Sequence, residues 1–148
     1  MDSDVRTAKS FAGATIAVAV GTYLPWITTN PDLPPDAEIP SIYQFGMATG
    51  FEGFDFALLG AIGLVLLAVV PFRTSTHAVL TLATGLGIVA FQLYYLSTSS
   101  LVGFAATFTP AVGWHLTVLG GVLFALVGGF QLSSVIRRPT ATPRQMDG

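Results

Sequence analysis

The sequence predicts an all-α membrane protein, an antiparallel bundle of four transmembrane helices with a long outer loop between helices 1 and 2. Its 148 residues are 52% hydrophobic and only 9% charged, which is a membrane-like composition. Four apolar runs each approach the roughly 20 residues that cross a ~30 Å hydrocarbon core. These runs cover about residues 10–27, 54–72, 76–96 and 112–136, and they predict a single domain over 1–148.

The same composition excludes several classes of function. A net charge of −2 argues against a nucleic-acid partner. The absence of cysteine removes disulfides, thiol redox chemistry and thiolate metal sites. Signatures of nucleophiles and phosphate loops are missing, and the Asp, Glu and His residues have no metal-ligand spacing. We therefore expect no enzymatic activity, no metal and no cofactor.

The first predicted helix follows a short polar start. A secretory signal is the rival interpretation, but the acidic start and the lack of a clear cleavage site favour an uncleaved helix. Gly13, Ala17 and Gly21 lie four residues apart on one face, and small residues at this spacing let helices approach closely in lipid. An ordinary Ala- and Gly-rich composition explains the spacing equally well.

Residues 28–53 form the predicted outer loop. Its first half is rich in proline and acidic residues, which favours irregular, extended backbone. Residues 42–47 alternate larger and smaller side chains, which suggests a short strand or a flap on the membrane surface. Asp55 then stands where a carboxylate caps the next helix and suits its dipole.

The second and third runs are expected to form a tight transmembrane hairpin. Neither has Lys, Arg, Asp or Glu in its interior, and both are apolar on all sides rather than on one helical face. Their connection carries Arg73, which favours a cytoplasmic turn.

The fourth run again carries small residues on one face, at Gly121, Ala125 and Gly129. Arg137, Arg138 and Pro139 end it, and the tail 137–148 is expected to be disordered on the cytoplasmic side.

Two independent patterns predict the same orientation. All six Lys and Arg residues lie in the N-terminal segment, the central turn and the C-terminal segment, whereas the first loop is acidic. All Tyr and Trp residues lie towards the opposite side. Both patterns predict a multi-pass protein of the cytoplasmic membrane with cytoplasmic termini.

One group of polar residues is a candidate ligand or ion site. Ionisable residues near membrane depth are functional candidates, and the group lies at the outer helix ends: Glu52, Asp55, Gln92, Tyr95 and His115. The alternative is that a helix cap and ordinary interfacial placement explain all of them.

Short motifs add a resemblance. Leu24-Pro25-Trp26, Gly53-Phe54-Asp55 and Gly113-Trp114-His115 resemble segments of uncharacterised four-helix membrane proteins of haloarchaea and actinobacteria. The layout also looks like the tetraspan, claudin-type topology, although the cysteines of the claudin first loop are absent. The resemblance implies a membrane fold and no particular activity.

Two functional hypotheses follow. The first is a structural, scaffolding or accessory subunit that packs in the bilayer against itself or a larger membrane protein. The second is binding or transport of a small molecule or ion at the outer polar group. The helix interiors carry no carboxylate, Lys or Arg, which counts against a proton-coupled transporter.

Overall fold

The computed structural model describes residues 2–36, 46–50, 74–98 and 107–137. Within these ranges the chain forms three helices and two short strands. In chain order they are α1 (Asp2–Tyr23), β1 (Ile27–Thr29), α2 (Ser75–Thr98), β2 (Phe108–Pro110) and α3 (Val112–Ile136).

The prediction of a four-helix antiparallel bundle is wrong. The described residues hold three helices and a two-stranded antiparallel sheet, and two of these helices run in the same direction. The predicted second helix, 54–72, lies outside the described residues. Of the segment 42–47, predicted as a short strand or a flap, residues 42–45 lie outside the described residues, and 46 and 47 form a turn and a bend. The described strands lie elsewhere, where Ile27–Thr29 pairs with Phe108–Pro110. Pairing across a distance in sequence leaves no local signal.

The central helix is α3, which packs on both α1 and α2. Near the start of α1, Phe11 stacks edge-on against Phe124, while Gly21 approaches Gly113 at the start of α3. α1 is therefore antiparallel to α3. The start of α2 likewise contacts the end of α3, through His77 and Gln131, so α1 and α2 are parallel to each other.

Glycines on two faces of α3 make these contacts close. A Cβ added at Gly120 would lie 2.5 Å from the Val18 side chain of α1, whereas one at Gly121 would lie 2.8 Å from Ile88 of α2. Gly128 faces the Leu82 backbone of α2 in the same way. Because the side chain is absent, helix backbones approach each other closely enough for extensive van der Waals contact.

The two ends of this helix trio differ in structure. The ladder end contains β1, β2 and the residues that flank them. The His77 end contains the start of α1, the start of α2 and the end of α3. Gly50 lies at the ladder end, where its N–H donates to the Leu24 carbonyl, whereas Thr74 precedes α2 at the His77 end.

Burial is inverted relative to a water-soluble protein. Two helices of the described chain, Ser75–Ser97 and Val112–Ile136, are long and apolar enough to cross a membrane, yet only 17% and 33% of their most apolar windows are buried. The core helix of a soluble protein would be mostly buried. Large apolar side chains point outward instead, including Leu86, Leu126 and Phe130.

Candidate functional site

The buried face of α2 is unusually polar. His77, Thr81 and Gln92 are all fully inaccessible to solvent. They are separated by four and eleven residues, which puts them on the same side of a helix with 3.6 residues per turn. α3 supplies two further buried polar residues, Thr117 and Gln131. Buried polar side chains in otherwise apolar helices define the candidate site, which has two separate parts.

The first part, the His77 cluster, consists of His77, Thr81 and Gln131. Nδ1 of His77 lies 3.2 Å from Oε1 of Gln131. A carboxamide oxygen can only accept, so the imidazole donates this bond from Nδ1. The Thr81 hydroxyl lies 3.3 Å from the same nitrogen and donates to the His77 carbonyl oxygen at 2.7 Å. The cluster therefore joins α2 to α3 by side-chain hydrogen bonds.

Local sequence explains why His77 is held in the first turn of α2. Thr74 stands three residues earlier, and its hydroxyl accepts a 3.1 Å hydrogen bond from the His77 N–H. Threonine at this position caps a helix by satisfying a free backbone donor. The Phe11 ring of α1 lies 5.6 Å from the imidazole, centroid to centroid. All three helices thus meet at His77.

An apolar layer separates the two parts of the site. Phe124 is fully buried at its centre, with Ala14 and Val18 of α1 on one side. Leu80 and Ile88 of α2 pack against the same layer. Along α3, this layer lies between Gln131 of the His77 cluster and Trp114, which contacts Gln92.

The second part is Gln92, near the ladder end. Neither atom of its carboxamide has a hydrogen-bond partner among the described residues. Burying an amide without a partner costs about 1–3 kcal/mol by mutational data, so Gln92 should lower the free energy of unfolding. The nearby indole of Trp114 does not pair with this carboxamide, because its Nε1 donates to the Gln92 backbone carbonyl at 3.3 Å.

Trp26 organises the ladder end. Its side chain is only 5% exposed, and its Nε1 donates to the Gly21 carbonyl at the end of α1 at 3.1 Å. The indole packs edge-on against Tyr95 at 5.3 Å. Gly50 lies directly on the indole ring, where a Cβ would overlap it. Trp26 thus joins α1, α2 and the 46–50 segment.

The predicted ligand residues do not form one group. Gln92 is buried and Tyr95 is half-buried, and the Tyr95 ring packs on Trp26. His115 is exposed, with Nδ1 2.9 Å from the Ala111 carbonyl and its ring edge-on to Trp114. Glu52 and Asp55 lie outside the described residues. In the described helices the Asp, Glu and His side chains form no group that could hold a metal ion.

Only some of the predicted packing residues lie at close contacts between helices. Gly21 and Gly121 lie at helix contacts, and a Cβ on either would collide with α3 or α2 respectively. Ala125 lies against Gly85 of α2. Gly13 and Gly129 have nothing within 4 Å, and Ala17 is half-buried. Three of the six residues therefore face a neighbouring helix in close contact.

Sequence analysis did not single out His77, Thr81, Gln131 or the core role of Trp26. The polar residues were noticeable only as exceptions in apolar runs. The spacing of His77 and Thr81 by four residues was the available signal, since it places both on one helix face. Their pairing with Gln131 depends on the helix arrangement and left no trace in local sequence.

Positive and negative side chains lie at opposite ends of the helix trio. Among described side chains, the exposed cations Arg6, Lys9 and Arg137 lie at the His77 end, whereas Asp32 and Asp36 follow β1 at the ladder end. Aromatic residues concentrate at the ladder end, namely Tyr23, Trp26, Tyr94, Tyr95 and Trp114.

Comparisons with protein-family models, with curated proteins and with solved structures find no match to this chain. The resemblance to haloarchaeal and actinobacterial four-helix proteins therefore stays a prediction from the sequence motifs.

Proposed function

We propose that this chain is an integral, multi-pass membrane protein that acts as a structural or accessory subunit and is not an enzyme. The observation that carries the proposal is the inverted burial of α2 and α3. Their inward faces hold glycines and polar side chains, whereas their outward faces are apolar.

The outward apolar faces run the length of both helices. On α2, Val79, Leu86 and Leu93 recur every seven residues and are 50%, 56% and 57% exposed. On α3, Leu119 and Leu126 show the same spacing and similar exposure. Continuous apolar surfaces of this kind are rare on soluble monomers and are what hydrocarbon chains solvate. Lipid therefore accounts for their exposure.

Charge supports one orientation of the spans. Lys and Arg near the ends of spans favour the cytoplasmic side, and the described cations lie at the His77 end. Tyr and Trp prefer the membrane–water interface, which suits their concentration at the ladder end. In this proposal the start of α1 and the end of α3 face the cytoplasm.

An accessory role fits the outward small residues. Gly13 of α1 and Gly87 of α2 have nothing within 4 Å, so backbone is accessible on the lipid side. Exposed small residues permit close approach of another transmembrane helix. We propose a second copy or a larger membrane protein as the lateral partner, with the 28–53 loop contributing to recognition.

A second candidate function is binding of a small polar molecule or ion near Gln92. The observation that favours it is the carboxamide without a partner, which an incoming polar group would satisfy. The apolar layer around Phe124 argues against passage of that molecule through the helices.

The membrane proposal is tested by alkaline carbonate extraction and by cysteine labelling. The natural chain has no cysteine, so each introduced thiol reports on one site. We expect the protein to stay in the membrane pellet. A membrane-impermeant maleimide should label Thr28→Cys from outside intact cells and Arg137→Cys only after lysis.

Leu126→Cys is the matched control, because a lipid-facing thiol should resist the aqueous reagent in both conditions. Recovery of the protein in the carbonate supernatant, or ready labelling of Leu126→Cys, would contradict the proposal. The accessory role is tested separately by native mass spectrometry of protein extracted gently from its own membrane. A stoichiometric protein partner or a homo-oligomer is expected, and a monomer that carries a small molecule would favour the Gln92 site.

A further inference from the structure

We propose that the His77 end binds the phosphate group of an anionic phospholipid at the N-terminus of α2. This inference rests on the proposed membrane function. Three observations meet at this place: an exposed helix start, a buried amide nitrogen without a partner, and exposed cations from two other helices.

The helix start supplies backbone donors. The first N–H groups of a helix have no intrahelical acceptor, and the macrodipole adds positive partial charge there. In the first turn of α2, the His77 N–H donates to the Thr74 hydroxyl. Ser75 and Thr76 are exposed. Their N–H groups belong to the first turn, which has no intrahelical acceptors, and this is the arrangement that binds phosphate at helix N-termini.

The second observation is independent of the helix start. Gln131 is only 8% exposed, and its Nε2 has no hydrogen-bond partner among the described residues. Its Oε1 accepts from Nδ1 of His77, so the amide nitrogen is held beside the first turn of α2. A donor without an acceptor at this position is complementary to an anionic oxygen.

Cations surround the same end. Arg6 and Lys9 of α1 precede Phe11, whose ring contacts His77, and Arg137 ends α3 six residues after Gln131. All three are exposed, so their side chains are available to a headgroup. In sequence, all six Lys and Arg fall in the segments that flank this end, together with Asp2, Asp4 and Asp147. Basic clusters beside a span favour anionic lipid.

The test uses the full-length chain reconstituted in phosphatidylcholine vesicles with or without phosphatidylglycerol. Native mass spectrometry counts retained lipid, and thermal unfolding reports stabilisation. We expect retained phosphatidylglycerol and a higher Tm with the anionic lipid. Gln131→Leu should lower retention about tenfold, and each of Arg6→Gln and Arg137→Gln should lower it about fivefold.

Arg144→Gln is the matched control, since it removes a positive charge in the C-terminal segment, away from the helix ends in sequence. Screening should limit its effect to about twofold. Equal losses for Arg144→Gln and Arg137→Gln would overturn the site in favour of diffuse surface attraction. Equal retention of both lipids would also overturn it.

Inorganic phosphate, added to phosphatidylcholine vesicles alone, distinguishes the two sources of the phosphate group. Stabilisation by inorganic phosphate equal to that by phosphatidylglycerol would overturn the lipid assignment. Where Gln131→Leu does not fold in phosphatidylcholine, the surface pair Arg6→Gln and Arg137→Gln decides the outcome. Carbonate extraction of the reconstituted chain separates the two proposals: release from vesicles contradicts the membrane function, whereas stable insertion without lipid preference contradicts only the site.

Discussion

The ladder end and the His77 end hold the same three helices together by different means. At the ladder end, backbone hydrogen bonds and aromatic rings do so: the Trp26 carbonyl accepts from the Ala111 N–H at 2.8 Å, and the Trp26 N–H donates to the Gly46 carbonyl at 2.8 Å. At the His77 end, a side-chain hydrogen bond between His77 and Gln131 joins α2 to α3, and the Phe11 ring of α1 packs on the imidazole.

The difference between the two ends lies in how their polar backbone groups find hydrogen-bond partners. Irregular backbone needs internal partners wherever water is scarce, and the short β-ladder provides them for the segments that leave α1 and enter α3. At the His77 end the chain is helical, so its backbone groups are paired within the helices apart from the first N–H groups of α1 and α2 and the last carbonyl groups of α3. Polar side chains can therefore be used there for contact between helices and, in our proposal, for binding a headgroup.

The largest expected effect is at the ladder end. Trp26→Ala removes a buried indole that contacts two helices and the 46–50 segment, and it should lower the free energy of unfolding by about 3–5 kcal/mol. Denaturant titration of the protein in lipid nanodiscs measures the loss. Trp114→Ala is the matched control, since that side chain is only half-buried. Similar losses for both would show that Trp26 has no special role.

The next effect concerns the glycine contacts near the His77 end. Gly128→Leu places a side chain against the α2 backbone at Leu82, and overpacking of this kind should cost about 3 kcal/mol. The adjacent Gly129 has nothing within 4 Å, so Gly129→Leu should leave the melting temperature almost unchanged. If Gly129→Leu destabilised the protein as strongly, a lateral partner at that face would explain the result instead, since Leu favours the helix more than Gly does.

A double-mutant cycle tests the hydrogen bond at the His77 end. His77→Leu leaves the Gln131 oxygen buried and unpaired, which should cost about 1–3 kcal/mol. Gln131→Leu should cost less, because the Thr81 hydroxyl still lies 3.3 Å from Nδ1 of the imidazole. The double variant should regain part of the loss, since both polar groups are then gone. Strictly additive losses would mean that the two side chains are not coupled.

The smallest expected effect has the opposite sign. Gln92→Leu removes a buried carboxamide without a partner and should raise the free energy of unfolding by about 1 kcal/mol. Thermal unfolding in phosphatidylcholine nanodiscs measures this gain. Loss of stability, or loss of a co-purified small molecule, would instead show that Gln92 has a bound partner in the natural membrane.

Helices were the most predictable part of this chain. The run 112–136 coincides with α3, and the run 76–96 lies within α2, because long apolar segments give a strong signal. α1, Asp2–Tyr23, begins and ends earlier than the predicted run 10–27, because a helix can extend through polar residues that hydropathy does not mark. The hairpin predicted between the runs 54–72 and 76–96 stays a prediction, because its first run lies outside the described residues.

The candidate site was less predictable for the same reason. Gln92 is visible in sequence as a polar residue in an apolar run, and the structure places it inside the helix trio. His77 lies at the start of the run 76–96, and local sequence does not indicate its burial, because contact with Phe11 and Gln131 depends on the positions of all three helices. Glycine spacing suggested one face of α3, whereas α3 contacts neighbours on two, through Gly113 and Gly120 for α1 and through Gly121 and Gly128 for α2.

The central position of α3 has a consequence for synthesis. α1 and α2 precede α3 in the chain, and among the described elements each packs mainly on it. In the proposed membrane topology, both would enter the membrane during translation before their common partner exists. Packing is then delayed until α3 emerges from the ribosome, and a ribosome-bound chain that stops before Val112 should be unusually sensitive to membrane proteases. The glycines of α3 thus determine when the protein becomes resistant to degradation as well as how its helices fit.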